Sequence, residues 1–257
     1  MGAKLKELLK SGKLVKVFCL GQLCHPKLVE LVGLQGGFDA VWFDQEHVGL
    51  TLQQIEEAAR AARAAGLDSF VRLAPTDYAT VMRPLEAGAG GVMAAQVRSA
   101  REAANVVKWA RFYPLGMRGI NSTGFDGRYG SMQMRDYFRH ADAESFVAIQ
   151  IEHIDAVEDV EQIAALPGID LLFIGPADLS QSMGIPAEWS HPRLWQAFER
   201  VAAASKAHNV PWAILPFDTE SARRCVQLGC RMLSIGIDMW VMQRGVKAFK
   251  AEFAEFF

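Results

Sequence analysis

The sequence predicts one (β/α)8 TIM barrel spanning residues 1–257. Three observations carry that prediction. The 257 residues match the roughly 250 typical of a single α/β barrel. Short, largely apolar runs alternate eight times with segments whose apolar residues recur at helical spacing, as parallel strands covered on both faces require. No G-x-G-x-x-G opens a helix after the first run, which argues against an open dinucleotide-binding sheet.

Leu5 to Ser11 reads as a short helix ahead of the first strand, Leu14 to Leu20. A helix from Pro26 to Leu34 is stopped by Gly36-Gly37, a C-cap signal. The second strand, Phe38 to Phe43, runs into Asp44-Gln45-Glu46-His47, and Thr51 caps a long helix to Ala65. The third strand, Ser69 to Leu73, carries Arg72 near its end. A helix from Asp77 to Ala87, a fourth strand from Gly91 to Ala94 and a helix from Ser99 to Arg111 complete the first half.

From about 112 to 143 the rhythm breaks. PLGMRGINSTGFDGRYG is too rich in Gly, Arg and Ser for a regular element, with a short helix expected at Ser131 to His140. An insert of this length in a compact domain is usually functional or disordered. The fifth strand is FVAIQIE, closed by Glu152; DAVEDVEQIAAL is one helix by its apolar spacing. The sixth strand, LLFIG, leads across Pro-Ala to Asp178. A helix from Pro192 to Asn209, strand seven from Val210 to Leu215, a helix from Thr219 to Gly229 and strand eight from Arg231 to Gly236 follow. The last helix, about 238–257, carries Met242, Val246, Phe249, Phe253 and Phe256 as a stripe at steps of three and four. Such a stripe covers its own barrel or docks on a second subunit.

The net charge of −2 gives no reason to expect nucleic acid or an anionic membrane as partner. Met1 to Lys16 is polar and lysine-rich, without the apolar core of a signal peptide, and no apolar stretch approaches the ~20 residues that cross a bilayer. The four cysteines form no C-x-x-C, so reduced thiols in a cytoplasmic protein are expected.

The chemistry concentrates at strand ends. In a parallel unit Glu152 and Asp178 sit at the C-terminal edge of neighbouring strands, where barrel enzymes keep their active sites. Two hard oxygen ligands with room for water or substrate suit Mg²⁺ or Mn²⁺. Helix capping is the plainer alternative for each acid; their pairing on consecutive strands favours the metal. Gln150 and Glu152, two apart, project to one side of the fifth strand, opposite Ile149, Ile151 and His153. Asp44, His47 and Arg72 join the same rim. Metal, fixed cation, carboxamide and imidazole together suit formation of an enolate beside a carbonyl. Imine chemistry is disfavoured, because between Lys27 and Lys247 only Lys108 and Lys206 occur, both inside expected helices. A zinc hydrolase is disfavoured by the absence of H-E-x-x-H.

Across FDAVWFDQEH, the VR of SFVRL, LEAGAGGVMAAQV, RFYPLGMRG, IQIE, GIDLLFIGPADLS and LGCRMLSIGID, the chain resembles the metal-dependent (class II) pyruvate aldolases of the HpcH/HpaI family. The likeness covers nearly the whole chain, and GIDLLFIGPADLS is its most specific part. It implies cleavage of 4-hydroxy-2-oxo acids into pyruvate, or hydroxypyruvate, and an aldehyde, with Mg²⁺, Mn²⁺ or Co²⁺ as cofactor. Glu152 and Asp178 would bind the metal. Gln150 and the backbone of Ala177 and Asp178 would hold the pyruvate end, Arg72 would stabilise the enolate, and His47 would accept the proton with Asp44 near it. In several relatives an Asp at the position of Glu86 reaches a neighbouring subunit's site; here the residue is one methylene longer. Gln45 stands where some relatives have Gly. The resemblance also implies a homohexamer, a trimer of dimers with exchanged C-terminal helices. Oxaloacetate decarboxylation or a macrophomate synthase-like step on the same site is the enzymatic alternative, and a keto-acid-binding barrel the non-enzymatic one.

Overall fold

The computed structural model describes residues 4–257; the first three residues of the lysine-rich N-terminal stretch lie outside it. Eight parallel strands close in sequence order into a barrel. They are β1 (Val15–Leu20), β2 (Ala40–Asp44), β3 (Asp68–Leu73), β4 (Gly91–Ala94), β5 (Phe146–Ile151), β6 (Leu171–Ile174), β7 (Trp212–Ile214) and β8 (Met232–Ile237). The helices are α1 (Leu5–Lys10), α2 (Pro26–Gln35), α3 (Leu52–Ala64), α4 (Tyr78–Glu86), α5 (Ala100–Ala110), α6 (Met134–Glu144), α7 (Ile154–Glu158), α8 (Val160–Ala164), α9 (Pro176–Ser182), α10 (Pro192–His208), α11 (Thr219–Gln227) and α12 (Asp238–Glu252). No helix among the described residues is long and apolar enough to cross a membrane.

Strand alternation divides the core. Val17, Cys19, Trp42, Phe70, Met93, Phe146, Ala148, Phe173 and Ala213 fill the barrel, and Leu5 and Leu9 of α1 close its N-terminal end. Their neighbours of opposite parity, among them Val41, Val71, Val147, Ile149, Leu172 and Ile174, meet the helices outside. Inside, Phe70 stacks on Trp42 with centroids 6.3 Å apart and meets Phe146 edge-on at 5.4 Å. This packed plug supports the C-terminal rim from below.

Local signals explain the ends. Thr51 and Gln54 form a reciprocal capping box on α3, and Asp218 and Ser221 form one on α11. Asp77 and Ser99 cap α4 and α5. Three expectations are corrected. The helix after β5 is broken at Asp159, whose φ of −96° and ψ of 5° interrupt it between α7 and α8; the Asp159 carboxylate instead accepts from the Ala100 N–H at 2.6 Å. In the insert the helix is Met134–Glu144, later than the expected Ser131 to His140, because Tyr137 and Ala141 build a small core with Phe112. The final helix ends at Glu252, followed by a 3-10 turn at Ala254–Phe256.

Candidate active site

The parity that puts Trp42, Phe70, Ala148 and Phe173 inside the barrel puts the residues two further on in the next layer up. Those residues are Asp44, Arg72, Gln150 and Gly175. Asp44 of β2 and Arg72 of β3 are partners in the strand register. A rim of polar groups therefore tops an apolar plug.

Arg72 is held on two sides. Its Nε and Nη2 donate to Asp44 Oδ1 and Oδ2 at 3.1 and 2.7 Å, and Nη1 lies 3.3 Å from Glu46 Oε2. The Trp42 ring lies below, 5.0 Å from the guanidinium. Burial works against the charge of Arg72, but the hydrogen bonds of Asp44 and the charges of Asp44 and Glu46 outweigh it and raise its pKa. A guanidinium fixed in this fork is oriented before any ligand arrives.

Glu152 is 2% exposed. Its Oε1 accepts the backbone N–H of Gln96 at 2.6 Å, and Gln150 Nε2 donates to Oε2. Burial pushes the carboxyl up to about 7, and the nearby charges of Glu46 and Asp178 add to the effect. Gly175 makes room for this group. A Cβ there would stand 2.8 Å from both Gln150 Nε2 and Glu152 Oε2.

Neither acid is a helix cap. His153, not Glu152, is the N-cap of α7. Asp178 lies in the first turn of α9, whose N-cap is Gly175 without a side-chain cap bond, and the Asp178 carboxylate has no hydrogen bond among the described residues. Asp178 is half-buried beside the exposed Ala177. His47 is the most open of the group, with its side chain 59% exposed and Nε2 3.7 Å from Glu46 Oε2. Its link to Asp44 runs through its backbone, whose N–H donates to Oδ1 at 3.3 Å. Gln45 turns its side chain to the Leu50 carbonyl at 2.9 Å.

Glu86 is not brought to this rim. It ends α4, at the opposite end of the barrel, where its Oε2 accepts from Asn121 Nδ2 at 2.9 Å and its carbonyl accepts from the Phe125 N–H at 3.0 Å. Within one chain it anchors the insert. Two cavities, of about 740 and 530 Å³, also open at that end, lined by Lys6, Asp170 and Arg231 and by Arg63, Arg118 and Phe125 respectively.

The residues present fit a divalent cation. Among the described residues no three His, Cys, Asp or Glu side chains form a closed cage. Two carboxylates at an open rim leave positions for water and a chelating substrate, as Mg²⁺ and Mn²⁺ prefer. Among the described residues, buried Gln150 Oε1 has no hydrogen-bond partner, and Glu46 Oε2 has only its ion pair with Arg72 and its contact with His47. Asp44 and Glu46 share the Arg72 guanidinium, while Glu152 and Asp178 have no ion pair among the described residues, and an added cation would offset that excess.

Two residues of the site had no assigned role in the sequence. Glu46 lay within the D-x-E-H spacing, but only the fold shows it against Arg72. Gln96 follows β4 with a φ of +58°. A left-handed conformation costs a non-glycine residue roughly 1 to 2 kcal/mol, and Gln96 bears it at the position whose N–H reaches Glu152.

Residues 17–244 match the family described as HpcH/HpaI aldolase/citrate lyase. A hydroxypyruvate/pyruvate aldolase of Pseudomonas aeruginosa is 31% identical over 97% of this chain and 92% of its own length. A pyruvate aldolase of Rhizobium etli is 33% identical over 85% of each chain. The crystal structure of an HpcH/HpaI aldolase from Desulfitobacterium hafniense superposes with a TM-score of 0.89, at 31% identity, covering 96% of this chain and 97% of that one. By sequence and by barrel alike, the chain belongs to the HpcH/HpaI aldolase/citrate lyase family.

Proposed function

We propose that the chain is a class II pyruvate aldolase, reversibly cleaving 4-hydroxy-2-oxo acids to pyruvate, or hydroxypyruvate, and an aldehyde. The observation that carries this reading is Glu152: a buried carboxylate that caps nothing, beside a guanidinium already fixed by Asp44. Glu152 and Asp178 would hold Mg²⁺, Mn²⁺ or Co²⁺, which when bound supplies Lewis-acid polarisation of the 2-oxo group.

The protein's own groups do the rest. Gln150, whose Nε2 keeps a second N–H beside the one given to Glu152, and the backbone at Ala177 and Asp178 hold the keto-acid end. His47 takes the proton of the 4-hydroxyl, the C3–C4 bond breaks, and its electron pair passes into the enolate of pyruvate while the aldehyde leaves. Arg72 faces the charge that grows on the enolate oxygen, which its fork of donors is suited to hold. Protonation at C3 then releases pyruvate. Asp44 acts by holding Arg72 and the His47 loop.

The assembly belongs to the same proposal. Along α12 only Asp238 is buried, while Trp240, Met242, Val246 and Phe249 on it, and Phe253 and Phe256 just beyond it, are exposed. A stripe of that size suits a neighbouring subunit in a homo-oligomer, the trimer of dimers expected above. Glu86 would serve there, at a neighbour's site. The deciding experiment follows pyruvate release from a 4-hydroxy-2-oxo acid by chelator-treated protein. Restoration by Mn²⁺ supports the reading, and full activity in chelator would overturn it.

A further inference from the structure

Between the second and fifth strands the rim groups form a continuous chain of contacts. Arg72 of β3 reaches Glu46 beyond β2 at 3.3 Å. Gln96, beyond β4, extends its side-chain Nε2 to Glu46 Oε1 at 3.4 Å, and its backbone N–H reaches Glu152 Oε1 at 2.6 Å. One residue thus touches a carboxylate on either side of it, through two different groups. The backbone contact is the shorter, and Gln96 makes it from a left-handed conformation with a φ of +58°. Strain of this kind persists where the surroundings over-determine it, and it clusters at functional sites. The Gln96 side chain is exposed, so burial of the side chain does not impose the conformation.

We propose that Gln96 is a positioning residue for Glu152: it carries the chain leaving β4 through a left-handed turn at the point where its amide N–H fixes one carboxylate oxygen, while Gln150 Nε2 holds the other at the open rim. This rests on the metal reading given above. Contacts that orient a metal ligand change affinity by roughly 10- to 100-fold when removed. The side chain of Gln96 has a separate task, joining Glu46, and through it Arg72, to the same arc.

Substitution separates the two tasks. Glycine adopts φ above zero freely and keeps the N–H, whereas a β-branched residue is an outlier there. In Gln96→Gly, Mn²⁺ affinity measured by electron paramagnetic resonance should stay within about twofold of wild type. In Gln96→Val it should weaken by roughly tenfold or more. Gln96→Ala, less strained than valine, should fall between them, and it replaces Gln96→Val if thermal melting shows the valine variant unfolded. Wild-type affinity in the valine and alanine variants overturns the proposal. So does a loss in Gln96→Gly equal to theirs, which would transfer the effect to the side chain. Glu152→Gln is the control in the same titration. If it too binds Mn²⁺ as wild type does, the metal reading falls and takes this proposal with it. If Glu152→Gln loses the ion while Gln96→Val keeps it, the Gln96 assignment alone fails.

Discussion

Replacing Glu152 by Gln should stabilise the metal-free protein, and only above a definite pH. Burial holds the Glu152 carboxyl at about 7 in the folded chain, against an ordinary 4.5. Below pH 4.5 the group is neutral in folded and unfolded chains alike and contributes nothing to the difference. As pH rises from 4.5 towards 7 the unfolded chain ionises first, so folding loses stability progressively. Above 7 the loss is complete. At about 1.4 kcal/mol per pKa unit it amounts to about 3 kcal/mol. A neutral amide of the same shape avoids it. For a chain of this size 1 kcal/mol moves Tm by about 2 to 4 °C, so the two melting curves should coincide near pH 4 and differ by roughly 6 to 12 °C near pH 8, with Glu152→Gln the more stable. The assay is differential scanning calorimetry or fluorimetry of EDTA-treated protein across that range. Saturating Mn²⁺ should reverse the order, because only the carboxylate binds the ion and binding to the folded state stabilises it. A pH-independent gap, or a wild type more stable throughout in EDTA, would refute the account of Glu152 as a buried, insufficiently compensated charge.

Other perturbations reach different parts of the molecule. Arg72→Lys should lower kcat and kcat/KM for aldol cleavage together, by roughly two to three orders of magnitude, since an ammonium cannot reproduce the fork that Asp44 orients; steady-state kinetics decides, and a change confined to KM would count against a role in the transition state. Phe70→Ala empties the centre of the barrel beneath Arg72 and should destabilise the chain by about 3 to 5 kcal/mol, read by chemical denaturation. Deleting Trp240 to Phe257 should give dissociated or insoluble protein by size-exclusion chromatography with light scattering, and a soluble assembly of native size would show the apolar stripe to be dispensable.

Much of this was legible in the sequence, for reasons that individual residues make plain. The eight strands were readable because each is a compact apolar run, and Gln150 and Glu152 stood out because polar residues two apart interrupt such a run on one face. Asp44 and Arg72 were readable as rim residues. Their mutual pairing was not, since it depends on a register between strands that no local pattern encodes. Gln96 left no trace: AAQV reads as the end of a strand, and nothing in glutamine's chemistry announces a positive φ. Asp159 misled in the other direction, because apolar spacing continues across it while its carboxylate is committed to the Ala100 N–H on another helix. Glu86 ends α4, so helix direction alone places it at the far end from the site within one chain.

Trp42 gives the site an optical reporter. Its indole is buried, tied by Nε1 to Ser234 Oγ at 2.9 Å, and lies 5.0 Å below the Arg72 guanidinium. In a poorly hydrated interior the field of a nearby charge is weakly screened. A cation or keto acid arriving among Arg72, Glu46 and Glu152 changes that field without moving the ring. The emission wavelength of Trp42 should therefore shift on occupancy of the rim, giving a label-free titration whose signal disappears in Trp42→Phe while the other five of the six tryptophans remain as background.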